Sequence, residues 1–478
     1  MRLTIFLIIL LFASSSVAKL YQVGPSRTYT KPSKVMNLVS DGDTVEIDAG
    51  LYYGDVGTWT KNNLVIRAAG RGLTGFVHLE AAGQNAGGKA IWVISGNNTY
   101  IENIEFSGCS VPDHNGAGIR QEGAGLELRH CYFHDNEDGV LAGANPTSDI
   151  LFEACEFARN GYGDGYSHNM YIGNVRTFTM LFCYSHHAKV GHCVKSRAMN
   201  NFIEYNRIMD EDTGSASYLI NLPNGGFSIV LGNTMMKGTM AQNRTLVDYG
   251  SEGLSNPSKQ LYVASNTMVS TRGGGATFVS VSNGTDTAKI INNIFAGPGL
   301  VLSGIADTIA NGYSATYQFP FSDFSKYDYR LLGDVIPPPL PSSPGFADGF
   351  SLTPIFEYLH PEDSIARKGL FLVGAFMNDF GHDFGGGVDD NRISIRHFTN
   401  FPNPFSKKTT IDLGKIEDVG PLTINIFNQL GEKMLAKNLL PKNSQIVFDR
   451  GDLAAGVYYY QMENSKGLRI AAGKFVIL

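Results

Sequence analysis

The stretch from Phe157 to Ile208 repeats itself at a fixed offset. His168 falls on His192, Met170 on Val194 and Tyr171 on Lys195, each pair 24 residues apart. Short self-similar segments at such a period belong to coils stacked along an axis. Equivalent residues of neighbouring coils then sit about 4.8 Å apart, so Tyr171, Lys195 and Arg197 fall into one surface cluster.

The pattern continues on both sides. Runs that alternate apolar with polar residues occur at Tyr100–Phe106, Leu126–Phe133 and Ile150–Phe157. Further runs occur at Phe202–Ile208, Ile229–Met235, Leu261–Met268 and Lys289–Phe295. Alternation of this kind marks strands, and the Gly and Asn residues at the ends of the runs mark turns. The chain has 55 glycines. An antiparallel sandwich also yields many short strands, but it does not explain in-register self-similarity. The fold expected is therefore all-β: a right-handed parallel β-helix with coils from about Thr44 to about Phe295, followed by a small C-terminal β-sandwich.

Met1–Ala18 has the form of a secretory signal peptide, with a charge at Arg2, an apolar stretch Leu3–Phe12 and small residues Ser16-Val17-Ala18. The apolar stretch is too short for a membrane span. A formal net charge of −6 argues against a nucleic-acid partner. Five cysteines are too few for a disulfide scaffold. Cys131, Cys155 and Cys183 share one column of the repeat, which reads as an inward stack of small thiols, with a bridge between coils as the alternative. No CxxC pair is present, and no metal ligands are assigned.

Pro32–Val39 is expected to form a short helix that caps the open end of the stack, ahead of a first coil at Asp41–Tyr52. The rod is expected over residues 19–335. The proline-rich run Pro337–Pro344 cannot belong to a central strand and opens a strap or linker over 336–400 that includes Phe350–Phe376. The capping stretch and first coil resemble those of pectate-lyase-like β-helix proteins. That resemblance implies a secreted protein acting on polysaccharide: a lyase of pectate, alginate or chondroitin type, a rhamnogalacturonan-type hydrolase, or a uronate epimerase.

The tail, 401–478, carries Phe401-Pro402-Asn403-Pro404-Phe405, Thr409–Leu413, Leu422–Asn428, Gly456–Tyr460 and Lys474–Leu478. In order and spacing these resemble the type A C-terminal sorting domain of the type IX secretion system of Bacteroidetes. The resemblance implies engagement by the type IX machinery, passage across the outer membrane and a secreted or cell-surface location. A small carbohydrate-binding sandwich is the other reading of the same strands.

Elimination from a uronic acid requires neutralisation of the carboxylate, removal of the adjacent proton and protonation of the departing oxygen. If Met170, Ile172 and Val194 point inward, then Asn169, Tyr171, Lys195 and Arg197 point outward, with Asn221 and Asn224 on the next coil. Arg197 suits the carboxylate and Lys195, with a lowered pKa, the base. Tyr171 suits the proton donor. The lyases that the chain resembles use Lys as base and Arg as partner on neighbouring coils, whereas here both lie on one strand. His168 and His192 face inward by parity and are second-rank catalytic candidates.

Calcium is the alternative neutraliser, through Asp135, Glu137, Asp138 and Asp164 or the turn Asp210-Glu211-Asp212. A hydrolase would need two or three carboxylates on the active face. None is evident around Tyr171 and Lys195, which favours elimination or epimerisation. A non-catalytic adhesin would use the same flat face for binding alone.

Overall fold

A computed structural model of the chain describes residues 18–69, 77–317, 319–331, 341–367 and 373–376, and most of 396–477. The proposed signal peptide up to residue 17 and the proline run at 337–340 lie outside these residues.

Each coil contributes one strand to each of three parallel sheets. Asp138–Ala142 lies in the first sheet, Asn145–Glu153 in the second and Glu156–Ala158 in the third. The chain then returns to the first sheet at Met170–Ile172. The three sheets hold ten, twelve and eleven described strands. The coils wind as a right-handed parallel β-helix. They run from Leu20–Val23 to Gly312–Ser314, farther at both ends than the sequence pattern indicated.

Alternation puts every second side chain inside. Phe106, Phe133 and Phe157 stack down the interior with centroids 4.9 and 5.1 Å apart. The corner between the second and third sheets demands a left-handed residue in coil after coil: His130, Ala154, Phe182, Tyr205, Ser265 and Asn292 all have φ between 50° and 58°. Such a conformation costs a residue with a Cβ about 1–2 kcal/mol. The side chain that follows offsets this by bonding the adjacent coil. Asn206, Asn233, Asn266 and Asn293 form a buried amide ladder with steps of 2.9–3.0 Å. Cys131, Cys155 and Cys183 occupy the same column in the earlier coils. All five cysteines are free and buried, and the Cys183 backbone N–H donates to Asn206 Oδ1 where the column changes residue type.

At the N-terminal end, Pro32–Val39 is not a full helix. One 3₁₀ turn, Pro32–Lys34, forms, because a run this short cannot recover the cost of helix nucleation. It still caps the rod: Val35, Met36 and Val39 are buried against the first coils.

Described segments after the last coil lie across two sheets. Ala347, Leu352, Phe356 and Ala366 pack on Phe182, Tyr205, Phe227 and Tyr262 of the second sheet and its corner. Phe321, Tyr329, Val373 and Phe376 pack on Met209, Met236 and Val269 of the third. Among the described residues, these apolar contacts fall on the second and third sheets and leave out the first. The C-terminal region has its own five-stranded and three-stranded sheets around Phe405, Ile424, Phe448, Tyr460 and Phe475.

Candidate active site on the first sheet

Strand register defines the outer row of the first sheet. Successive coils place Arg120, Leu141, Tyr171, Lys195, Asn221, Asp248 and Ser280 directly beside one another. Tyr171 and Lys195 are paired neighbours, as the repeat indicated. Arg197 follows two residues on, at the end of its strand. The positions equivalent to Arg197 in the two preceding coils are Gly173 and Gly143. Backbone packs on backbone there, and a Cβ on Gly173 would lie 2.7 Å from Gly143. The cluster therefore opens onto a shelf without side chains.

Arg197 is held from three sides. Its Nε donates to Tyr171 Oη at 2.8 Å, and its terminal nitrogens donate to Asn224 and Glu252. Lys195 Nζ donates to the other oxygen of Glu252 at 3.2 Å. Both cations lie 5.7 Å from the centroid of the Tyr171 ring. Because Tyr171 Oη accepts from Arg197, its own proton is free to point at a ligand. The Lys195 side chain is 12% exposed. Burial pushes its pKa down and Arg197 adds to the effect, against the opposing pull of Glu252. Burial acts to raise Glu252, but Arg197 and Lys195 outweigh it and hold the carboxyl low.

Several expectations need correction. Asn169 does not face outward. It sits fully buried at the corner before its strand, where its amide bonds Asn160, Ser185 and the His186 carbonyl. Asn221 is in the outer row but is covered, donating to Asp248 at 2.7 Å. The outer face does not lack carboxylates: Asp248 is one coil beyond Asn221, and Glu252 folds back over Lys195. Burial raises the pKa of Asp248, despite hydrogen bonds from Ser251 and Asn221. Asp248 was reachable by carrying the repeat one coil further, through Thr245–Tyr249. Glu252 carries no such signal, because it reaches its partners across 55 and 57 residues from a turn.

His168 and His192 are buried and stacked, with centroids 4.5 Å apart. The His192 backbone N–H donates to His168 Nδ1 at 3.1 Å. Burial pushes both imidazoles down, His192 to about 3, so they are neutral. They form a floor: His168 stacks on Tyr171 and His192 meets Tyr218 edge-on.

The acidic turns do not converge. Asp135 pairs with Arg159 and His134, Glu137 accepts from two backbone N–H groups, and Asp138 accepts from the His168 N–H. Asp164 bonds within its own turn. Asp210 is buried against Lys237, Glu211 bonds Arg207, and Asp212 meets His187. Asp248 and Glu252 are themselves committed, the latter to two cations. These donors do not fit calcium, which takes six to eight oxygens.

This is a secreted right-handed parallel β-helix protein with a pectate-lyase-like fold and a type IX secretion sorting domain at its C-terminus. Residues 58–174 match the family described as right handed beta helix region. Residues 399–477 match the secretion system C-terminal sorting domain, which directs a protein to the cell surface or beyond and implies contact with the type IX machinery. Among solved structures the chain is similar to pectate lyase Pel9A, at 14% identity and a TM-score of 0.51, over 76% of this chain and 97% of that one. It is more distantly similar to the pectin methylesterase from Aspergillus niger in deglycosylated form, at 11% identity and a TM-score of 0.33, over 67% and 92% of the two chains. No curated protein matches the chain. Among the described residues no helix is long and apolar enough to cross a membrane.

Proposed function

We propose that the protein is a polysaccharide lyase that cleaves a uronic-acid-containing polymer by β-elimination, with Lys195, Arg197 and Tyr171 as catalytic residues. One observation carries this reading: the Glu252 carboxylate bridges Lys195 and Arg197, as the carboxylate of a bound uronate would. Glu252 is 45% exposed and attached to a turn, so a substrate can displace it. Arg197 then grips the substrate carboxylate. Lys195 exchanges its hydrogen bond to Glu252 for the substrate, while its burial and the neighbouring Arg197 continue to favour the neutral form. Its Nζ takes the proton from the carbon beside the carboxylate, the electron pair forms a carbon–carbon double bond, and the glycosidic oxygen leaves with a proton from Tyr171. An epimerase would share the first step and return the proton to the opposite face.

The test is a panel of uronic-acid polymers, followed by ultraviolet absorbance of the unsaturated product. Lys195→Ala is expected to reduce turnover by at least about 100-fold, the usual contribution of a positioned base, with polymer binding retained. Near-normal turnover by this variant would sink the assignment. If the wild type binds polymer without turnover, the protein is a surface binder.

A second reading rests on Asp248 and Glu252. One carboxyl with a raised pKa beside one held anionic is the pairing that glycoside hydrolases use. New reducing ends without an unsaturated product, abolished by Asp248→Asn, would favour it.

A further inference from the structure

The third sheet carries a different cluster, on coils that precede those packed by the later segments. His78 and Glu105 are paired neighbours in its outer row. His134, on the next coil, projects toward both. His134 Nε2 lies 2.8 Å from Glu105 Oε1, and His78 Nε2 lies 3.6 Å from the same oxygen. All three donor atoms fall within 4.8 Å of one another. The side chains are 25%, 18% and 15% exposed, so they line a surface notch that solvent reaches.

We propose that His78, Glu105 and His134 bind a divalent transition-metal ion of the zinc class. Two imidazoles and a carboxylate are a borderline-soft donor set, unlike the all-oxygen set calcium takes. Ligands about 2.0–2.2 Å from zinc in tetrahedral array stand about 3.4 Å apart. The His78–Glu105 separation already matches this, and His134 needs to withdraw by a few tenths of an ångström.

The surroundings are those of a ligand set. The other ring nitrogen of His134, Nδ1, lies 2.8 Å from Asp135 Oδ2, so a carboxylate orients the imidazole from behind. Asp135 is in turn fixed by Arg159 at 2.9 Å. The Tyr132 ring stacks on His134 at 4.4 Å and limits its rotation. His78 Nε2 bonds Ser107 Oγ at 2.7 Å and would exchange that partner for the ion.

Three protein ligands leave a fourth position for water or a sugar hydroxyl. The ion would tie three consecutive coils together. The later coils are clamped by apolar segments packed on sheets two and three, beginning at Phe182 and Met209.

The experiment uses mature protein stripped with a chelator. Zn2+ is titrated by calorimetry, Co2+ by visible absorption, and Ca2+ serves as the comparison ion. One equivalent of Zn2+ is expected to bind and to raise Tm, Co2+ should give the intense bands of a tetrahedral site, and Ca2+ should do neither. His134→Ala and His78→Asn should each weaken Zn2+ binding by at least about tenfold, and Asp135→Asn by about 10–100-fold, as outer-shell partners do. His114→Ala, on a different turn, should leave it unchanged. Circular dichroism and Tm in chelator report that each variant is folded. Absence of a stoichiometric site, or binding that survives both histidine variants, overturns the proposal.

Discussion

At the residue scale the site is governed by Glu252. Its negative charge raises the pKa of Lys195, while burial and Arg197 lower it. The proposed base, Lys195, must be neutral to act, so activity is expected to rise with pH along a limb below the ordinary lysine value of 10.5. Glu252→Gln removes the opposing pull and should move that limb to lower pH. It also frees Arg197 for substrate, so KM should fall or hold. A pH–rate profile of the variant that shifts upward, or does not move, would contradict this account of Lys195. The same residue exposes a weakness in reading sites from repeats: Tyr171, Lys195 and Asp248 share a row and are found by counting, whereas Glu252 arrives from a turn outside the strand pattern.

At the element scale the packed-over segment interacts with the rod through charge as well as apolar contact. Glu362 hydrogen-bonds Glu156 on the third sheet, and burial together with that partner pushes Glu362 up to about 9. Glu156, half-buried, is held low by His186, which lies 2.9 Å away, against the opposing effect of burial. The folded-state pKa of Glu362 is above its unfolded value, so the folded form holds this proton more tightly. The associated stability is present below the ordinary glutamate value of 4.5 and is lost as pH rises through about 9. Glu362→Gln keeps a donor at this position and cannot ionise. It should flatten the alkaline part of the Tm-versus-pH curve, and hydrogen exchange should show residues 356–366 better protected at high pH than in wild type. An unchanged slope would show that the pair does not couple to docking.

At the scale of the whole molecule, the coils and the sorting region each have their own buried core. We propose that the boundary near 400 separates units that fold independently. A chain ending at 398 should unfold cooperatively with the Tm of the full-length rod and should fail to reach the cell surface. Loss of folding on truncation would place the boundary wrongly. The packing of segments 341–367 and 373–376 on sheets two and three leaves the first sheet as the face proposed for a polymer.

The rod was legible because a stacked coil writes its geometry locally. Period, alternation and turn residues recur in every coil, so His168 over His192 and Tyr171 over Lys195 already imply parallel pairing and an outer row. The sorting tail was legible from the order of its motifs. The helix expected at Pro32–Val39 was overruled by its brevity. Asn169 was misplaced because parity holds along a strand and fails at the corner where this residue sits. The carboxylates of Asp248 and Glu252, the dispersal of the acidic turns among separate partners, and the meeting of His78 with Glu105 and His134 depend on how turns and neighbouring coils come together in space. Local pattern specifies which way a strand faces; which charges meet across coils is settled by long-range packing, where no short-range rule applies.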